Sequence, residues 1–161
     1  MHGCKGMERG MLRKQRGFSL LELLMTAGVV TTLATVGQYA YGGYLETVKV
    51  SRAIADIGEI HLTIQKHLLL NDEVHPTNLA EIGFGDKLDP WGNPYQYLLL
   101  EGETSDSAAR KDQNQRPINR NYDLYSMGSD GRSEPLLASP VGMDDVVLAR
   151  DGIYLGRADG I

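Results

Sequence analysis

The sequence predicts an α+β protein, with one long N-terminal helix whose first half is apolar and whose second half packs on a small antiparallel sheet. Three observations carry this. Residues 18–44 contain a single charged side chain, Glu22. No proline occurs between Phe18 and His75, so nothing covalent interrupts a helix there. Beyond Pro90 the pattern changes to short runs bounded by turn residues, 95–100 and 121–127, which read as two paired strands.

The chain has 161 residues, enough for one modest domain and an anchor. Its charge is unevenly placed. The first 17 residues carry Lys5, Arg9, Arg13, Lys14 and Arg16 against Glu8 alone. Without them Lys+Arg falls from 16 to 11 and Asp+Glu from 21 to 20, so the net charge goes from −5 to −9. An acidic body argues against a nucleic-acid surface, which needs clustered Lys and Arg. The acidity serves solubility and leaves room for a bound cation. The one cysteine, Cys4, lies in the basic segment, and a single thiol makes no internal disulfide. The sequence contains no nucleophile elbow, phosphate loop or zinc motif, which argues against an enzyme.

Residues 20–37 are long enough to cross a bilayer, which takes about 20 apolar residues. Thr26, Thr31, Thr32 and Thr35 are tolerable there, because each hydroxyl can bond back to its own helix. Tyr39, Tyr41 and Tyr44 fall at the far end, where amphipathic rings prefer the interface. The basic residues ahead of Phe18 place the N-terminus in the cytoplasm and the body on the outer side of the membrane. A secretory signal and a plain single-pass anchor both fit this outline. Neither accounts for Glu22, since a carboxylate inside an apolar segment is costly and usually functional.

The run Lys14-Gln15-Arg16-Gly17-Phe18-Ser19-Leu20-Leu21-Glu22-Leu23 resembles the prepilin leader of type IV pilins and type II secretion pseudopilins. The resemblance implies that a membrane peptidase cuts between Gly17 and Phe18 and methylates the new amine of Phe18. It also implies that Glu22, fifth in the mature chain, is an assembly residue. The small Gly17 lets a protease approach the backbone closely. The Phe18 amine and the Glu22 carboxylate, each unfavourable alone in an apolar medium, can satisfy one another between neighbouring subunits and fix their register. Met7 and Met11 offer alternative starts, and a start at Met11 leaves a seven-residue leader like those common among pseudopilins.

The helix is expected from about Ser19 to about Leu70, on the order of 78 Å at about 1.5 Å per residue. In its second half Ile54, Ile57, Leu62, Ile64, Leu68 and Leu69 fall close to one face, with Ala53, Gly58 and His61 nearby. His61 and His67 read as helix-surface or boundary residues. Gly37, Gly42 and Gly43 are weak points, and Tyr39 stands where the family often carries a proline. Asn71, Asp72, His75-Pro76 and Asn78 end the helix, and residues 77–82 form a short helical turn. The run Asp89-Pro90-Trp91-Gly92-Asn93-Pro94 forces a fixed loop with Trp91 capping the core. Residues 102–117 read as a long mobile connection.

Asp89 to Tyr97, together with Tyr122-Asp123-Leu124-Tyr125-Ser126-Met127-Gly128-Ser129-Asp130-Gly131, resembles the major pseudopilins of type II secretion systems. The resemblance implies the type IV pilin-like fold in three parts: a removed leader 1–17, a membrane and filament-core segment 18–44, and a periplasmic domain 45–161. It implies a calcium ion held by Asp130, Asp144, Asp145 and the carbonyl of Met127. Clustered oxygens on a glycine-rich loop suit that ion. Against it stands the insert 131–143, longer than the family's compact loop. The alternative reading is an ordinary acidic turn followed by a helix start at Asp144-Asp145, where acids favour the dipole. The tail 146–161 adds a short strand or helix.

Function then reads as a subunit of a periplasmic pseudopilus anchored in the bacterial inner membrane. Its implied partners are copies of itself, other pseudopilins, the prepilin peptidase and the inner-membrane assembly platform. A type IV pilus pilin is the alternative. A bitopic membrane protein with a ligand-binding outer domain is a third class.

Overall fold

The computed structural model describes residues 17–100 and 108–161. The leader up to Arg16, with Cys4, and residues 101–107, which take in the start of the expected connection, lie outside the described residues. Helix α1 runs Leu20–Leu70, and the chain divides at Gly42 and Gly43 into two units, taken separately below.

The described part of the first unit is the start of α1. Ser19 opens the helix, its carbonyl accepting from the Leu23 amide at 3.1 Å. Leu20, Leu21, Leu23, Leu24, Val29, Val30, Leu33 and Val36 are all exposed. The threonines behave as their chemistry requires. Thr26 donates to Leu23 O, Thr31 to Ala27 O and Thr35 to Thr31 O at 2.8–3.0 Å, while Thr32 is shared between Gly28 O and Val29 O. These four threonine hydroxyls therefore need no water, and the segment is long and apolar enough to cross a membrane.

The second unit, Gly43–Ile161, sets the rest of α1 against a four-stranded antiparallel meander. The strands are β1 (Gln96–Leu99), β2 (Tyr122–Ser126), β3 (Val146–Ala149) and β4 (Tyr154–Arg157), in that spatial order. Gln96 pairs with Tyr125, Tyr125 with Val147, and Val147 with Gly156. One helix on one antiparallel sheet makes the fold α+β and pilin-like in arrangement.

The core face of α1 is Ala53, Ile57, Ile60 and Ile64, all without solvent contact. Their spacing of four, three and four is the helical repeat. They meet Tyr122, Leu124, Val146 and Leu148. Two expected face residues are corrected: Leu62 is 68% exposed and Leu69 85%. Leu62 lies five residues beyond Ile57, half a turn off the stripe, and Leu69 sits in the last turn, past the sheet. Ile60, which the sequence reading passed over, holds the middle of the stripe.

Along β3 the side chains alternate, as a strand requires. Val146 and Leu148 face α1, while Val147 joins a second cluster with Leu137 and Ala158, packed by Ile118, Tyr125, Tyr154 and Ile161. The sheet is thus covered on both faces, and all four β3 residues are buried. The expected helix start at Asp144-Asp145 is instead the approach to this central strand.

Past Leu70 the chain turns through Asp72 and Glu73, both at positive φ (54° and 65°), before Pro76. The Pro76 carbonyl accepts from the Tyr97 hydroxyl at 2.8 Å. Asn78 caps the 3-10 turn Leu79–Ile82, accepting from the amides of Ala80 and Glu81. The Asp89 loop is organised by its first residue. Asp89 Oδ1 accepts from the amides of Trp91 (3.0 Å) and Asn93 (2.8 Å), and Oδ2 from the Ser126 hydroxyl at 2.5 Å on β2. Trp91 packs against the core and its indole donates to Glu46 at 3.2 Å.

His61 departs from a plain surface histidine. Its Nδ1 lies 2.6 Å from the Tyr122 hydroxyl, and a Cβ on Gly152 would meet its Nε2 at 2.8 Å. The Tyr122 hydroxyl can donate to a neutral Nδ1. Burial lowers the His61 pKa from 6.5. His61 therefore contributes stability that is fully present above pH 6.5, where the ring is neutral both folded and unfolded, and is lost as pH falls through the lowered folded value. Between pH 8 and pH 5 the melting temperature of His61→Gln should lack this ring's share of the pH dependence; equal slopes for the two proteins would refute this.

Candidate functional site

Two places hold the residues singled out by sequence. At the first, Gly17 and Phe18 lie in non-helical chain just ahead of α1. Phe18 is 74% exposed, and a Cβ on Gly17 would meet nothing within 4 Å. The peptide between them is open to an approaching enzyme. Glu22 sits in the first turn of α1, where the helix dipole favours an acid. It is exposed, like the apolar side chains around it. Among the described residues no salt bridge reaches Glu22.

The second place is the C-terminal loop. Gly128 turns at φ 63°, and a Cβ there would strike the Asp144 carbonyl at 2.5 Å, so the two segments touch through a glycine. Asp144 Oδ2 accepts three bonds: the Ser129 amide and hydroxyl, each at 2.8 Å, and the Asp130 amide at 3.2 Å. Asp130 Oδ1 in turn accepts from the Arg132 amide at 2.7 Å. Asp145 is fully buried and faces the other way. Its Oδ2 accepts from the Ser133 hydroxyl and lies 3.7 Å from the Arg110 guanidinium. Its Oδ1 has no hydrogen-bond partner. Burial pushes the Asp145 carboxyl up to about 7; Ser133 and Arg110 oppose the rise, and Asp144 and Asp130 add to it.

The oxygens expected to hold calcium are Met127 O and the carboxylates of Asp130, Asp144 and Asp145. Chain neighbourhood brings them into one region, where Asp144 and Asp145 take different hydrogen-bond partners. Among the described residues no three His, Cys, Asp or Glu side chains converge where a metal ion could sit. Asp144 Oδ2 is held by the Ser129 and Asp130 amides and the Ser129 hydroxyl, and Asp145 Oδ2 by Ser133 and Arg110. Calcium takes six to eight oxygens around one point, and this arrangement does not fit it.

Sequence reasoning missed Arg110, which lay inside a stretch read as connection. It is buried, and its backbone amide donates to Asp123 Oδ2 at 2.7 Å. Burial pushes the Asp123 carboxyl up, opposed by that amide and by Asn119. No local pattern marks it, because charge alone does not say which of 16 Lys and Arg goes inside.

An exposed apolar helix with one early acid, leading into a small antiparallel domain, defines a pilin-like subunit. Among curated proteins, the type II secretion system core protein G of Vibrio cholerae is 31% identical over 141 residues, 75% of this chain and 85% of the relative. The protein of the same name from Pseudomonas aeruginosa is 28% identical over 140 residues, 74% of this chain and 87% of that one. A fimbrial protein of Neisseria meningitidis is 26% identical over 145 residues, 89% of this chain and 85% of that one. No family model matches the chain, and no solved structure does. The chain belongs to the family of type II secretion system core protein G. None of these three relatives bears the name of an enzyme.

Proposed function

We propose that this chain is a structural subunit of a periplasmic pseudopilus of a type II secretion system. Prepilin peptidase cuts between Gly17 and Phe18 and methylates the Phe18 amine. The mature chain sits in the bacterial inner membrane through residues 18–44, with its C-terminal domain in the periplasm, until the assembly platform passes it into a filament of like copies and other pseudopilins. One observation carries the reading: Glu22 is the single charge of residues 18–44, an exposed apolar stretch, and is the fifth residue counted from Phe18. Cleavage there creates an amine of opposite sign to that acid, and a filament brings the two together in an apolar core.

Mass spectrometry of the membrane-extracted protein tests this. The expected species begins at Phe18 and carries one methyl group on its amine. An uncut leader, or a cut after the apolar segment, would overturn the proposal.

The fimbrial relative, which matches the largest share of this chain among the three compared, favours a second reading as a type IV pilus pilin. Deletion of the gene distinguishes the two. Loss of protein export with surface pili intact supports the pseudopilus, and loss of surface pili supports the pilin.

A further inference from the structure

We propose that the C-terminal loop of this chain is closed by Arg110, acting as a built-in cation between Tyr125, Glu134 and Asp145, and not by a divalent metal ion. Arg110 is 4% exposed, and a guanidinium stays charged at any depth, so its surroundings must supply acceptors. They do so from three directions. Its central carbon lies 3.7 Å from the centroid of the Tyr125 ring on β2. Its Nη1 donates to the Glu134 carbonyl in the insert and lies 3.7 Å from Asp145 Oδ2 at the entry to β3. One side chain thus joins the second strand, the insert and the third strand.

The backbone around it makes the same closure. The Lys111 amide donates to Pro135 O at 2.7 Å, and the Leu137 amide to Lys111 O at 3.0 Å. The Arg110 carbonyl accepts from the Ile118 amide at 2.9 Å. Residues 110–111 therefore form an edge against which residues 134–137 are laid, and Leu137 is delivered to the outer cluster of the sheet. The insert 131–143 has the length to reach this edge. A divalent ion on Asp145 would face the fixed guanidinium at close range and be repelled by it.

The test uses the full-length protein in detergent, melted and digested with trypsin in excess EGTA and in millimolar calcium chloride. Wild type should melt within about 1 °C in the two conditions, because an ion that does not bind the fold cannot stabilise it. Arg110→Gln should lower the melting temperature by about 5 °C and speed the cut after exposed Arg132 about tenfold, with calcium restoring neither. Arg110→Lys keeps the charge but loses the planar fork, and should fall between them. A wild-type melting temperature or Arg132 protection that drops in EGTA and returns with calcium would overturn the proposal. So would Arg110→Gln behaving as wild type. If Arg110→Gln does not fold, the wild-type calcium response and Arg110→Lys decide.

Discussion

Glu22→Ala is expected to leave membrane insertion and the cut after Gly17 intact and to abolish incorporation into filaments. Removing the carboxylate makes the helix more apolar, so insertion does not suffer. The cleaved Phe18 amine then has no counter-charge in the filament core. Breaking a buried ion pair on one side costs about 3–5 kcal/mol, a hundredfold or more in assembly at each contact. The check is the fraction of processed protein recovered in sheared filaments. Glu22→Asp, which keeps the charge on a shorter arm, should recover part of it. Normal filaments from Glu22→Ala would remove the assembly role, leaving processing untouched as a separate question.

Ile57→Ala is expected to be the most damaging single truncation in the domain. Ile57 has no solvent contact and sits in the cluster between α1 and the sheet. Truncating a buried isoleucine costs about 2–5 kcal/mol, against total stabilities of about 5–15 kcal/mol for a domain. Leu62→Ala, five residues along the same helix, should change stability by no more than about 0.5 kcal/mol, because Leu62 points into solvent. Denaturant unfolding followed by the fluorescence of Trp91, the only tryptophan, measures both. Similar losses for the two variants would mean that the core face of α1 is misassigned.

Much of this architecture was legible in the residues. The uninterrupted helix, its end at Leu70, the turn near Asn78 and the first two strands all follow from local chemistry: absence of proline, capping side chains, and alternation of apolar residues. The third strand was not legible, for a physical reason. Val146-Val147-Leu148-Ala149 is buried on both faces, so it shows no alternation, and two acids before an apolar run look like the start of a helix. The exposure of Leu62 and Leu69 was hidden for a related reason. A helical wheel gives a broad face, and only the position of the sheet says how wide a stripe is covered.

The same division runs through the candidate sites. The roles proposed for Gly17, Phe18 and Glu22 rest on their spacing along the chain, which is read from the sequence alone. The C-terminal loop is different. Met127, Asp130, Asp144 and Asp145 follow one another suggestively in the chain, yet a metal site needs convergence in space. The tertiary structure decided that Asp144 turns to the loop amides and Asp145 to Arg110, a residue with no local signal at all. Local patterns fix elements and sequence-encoded processing signals. Which buried charge meets which is settled only when strands distant in sequence are packed together, since desolvation forces each buried charge to take the partners the fold places beside it.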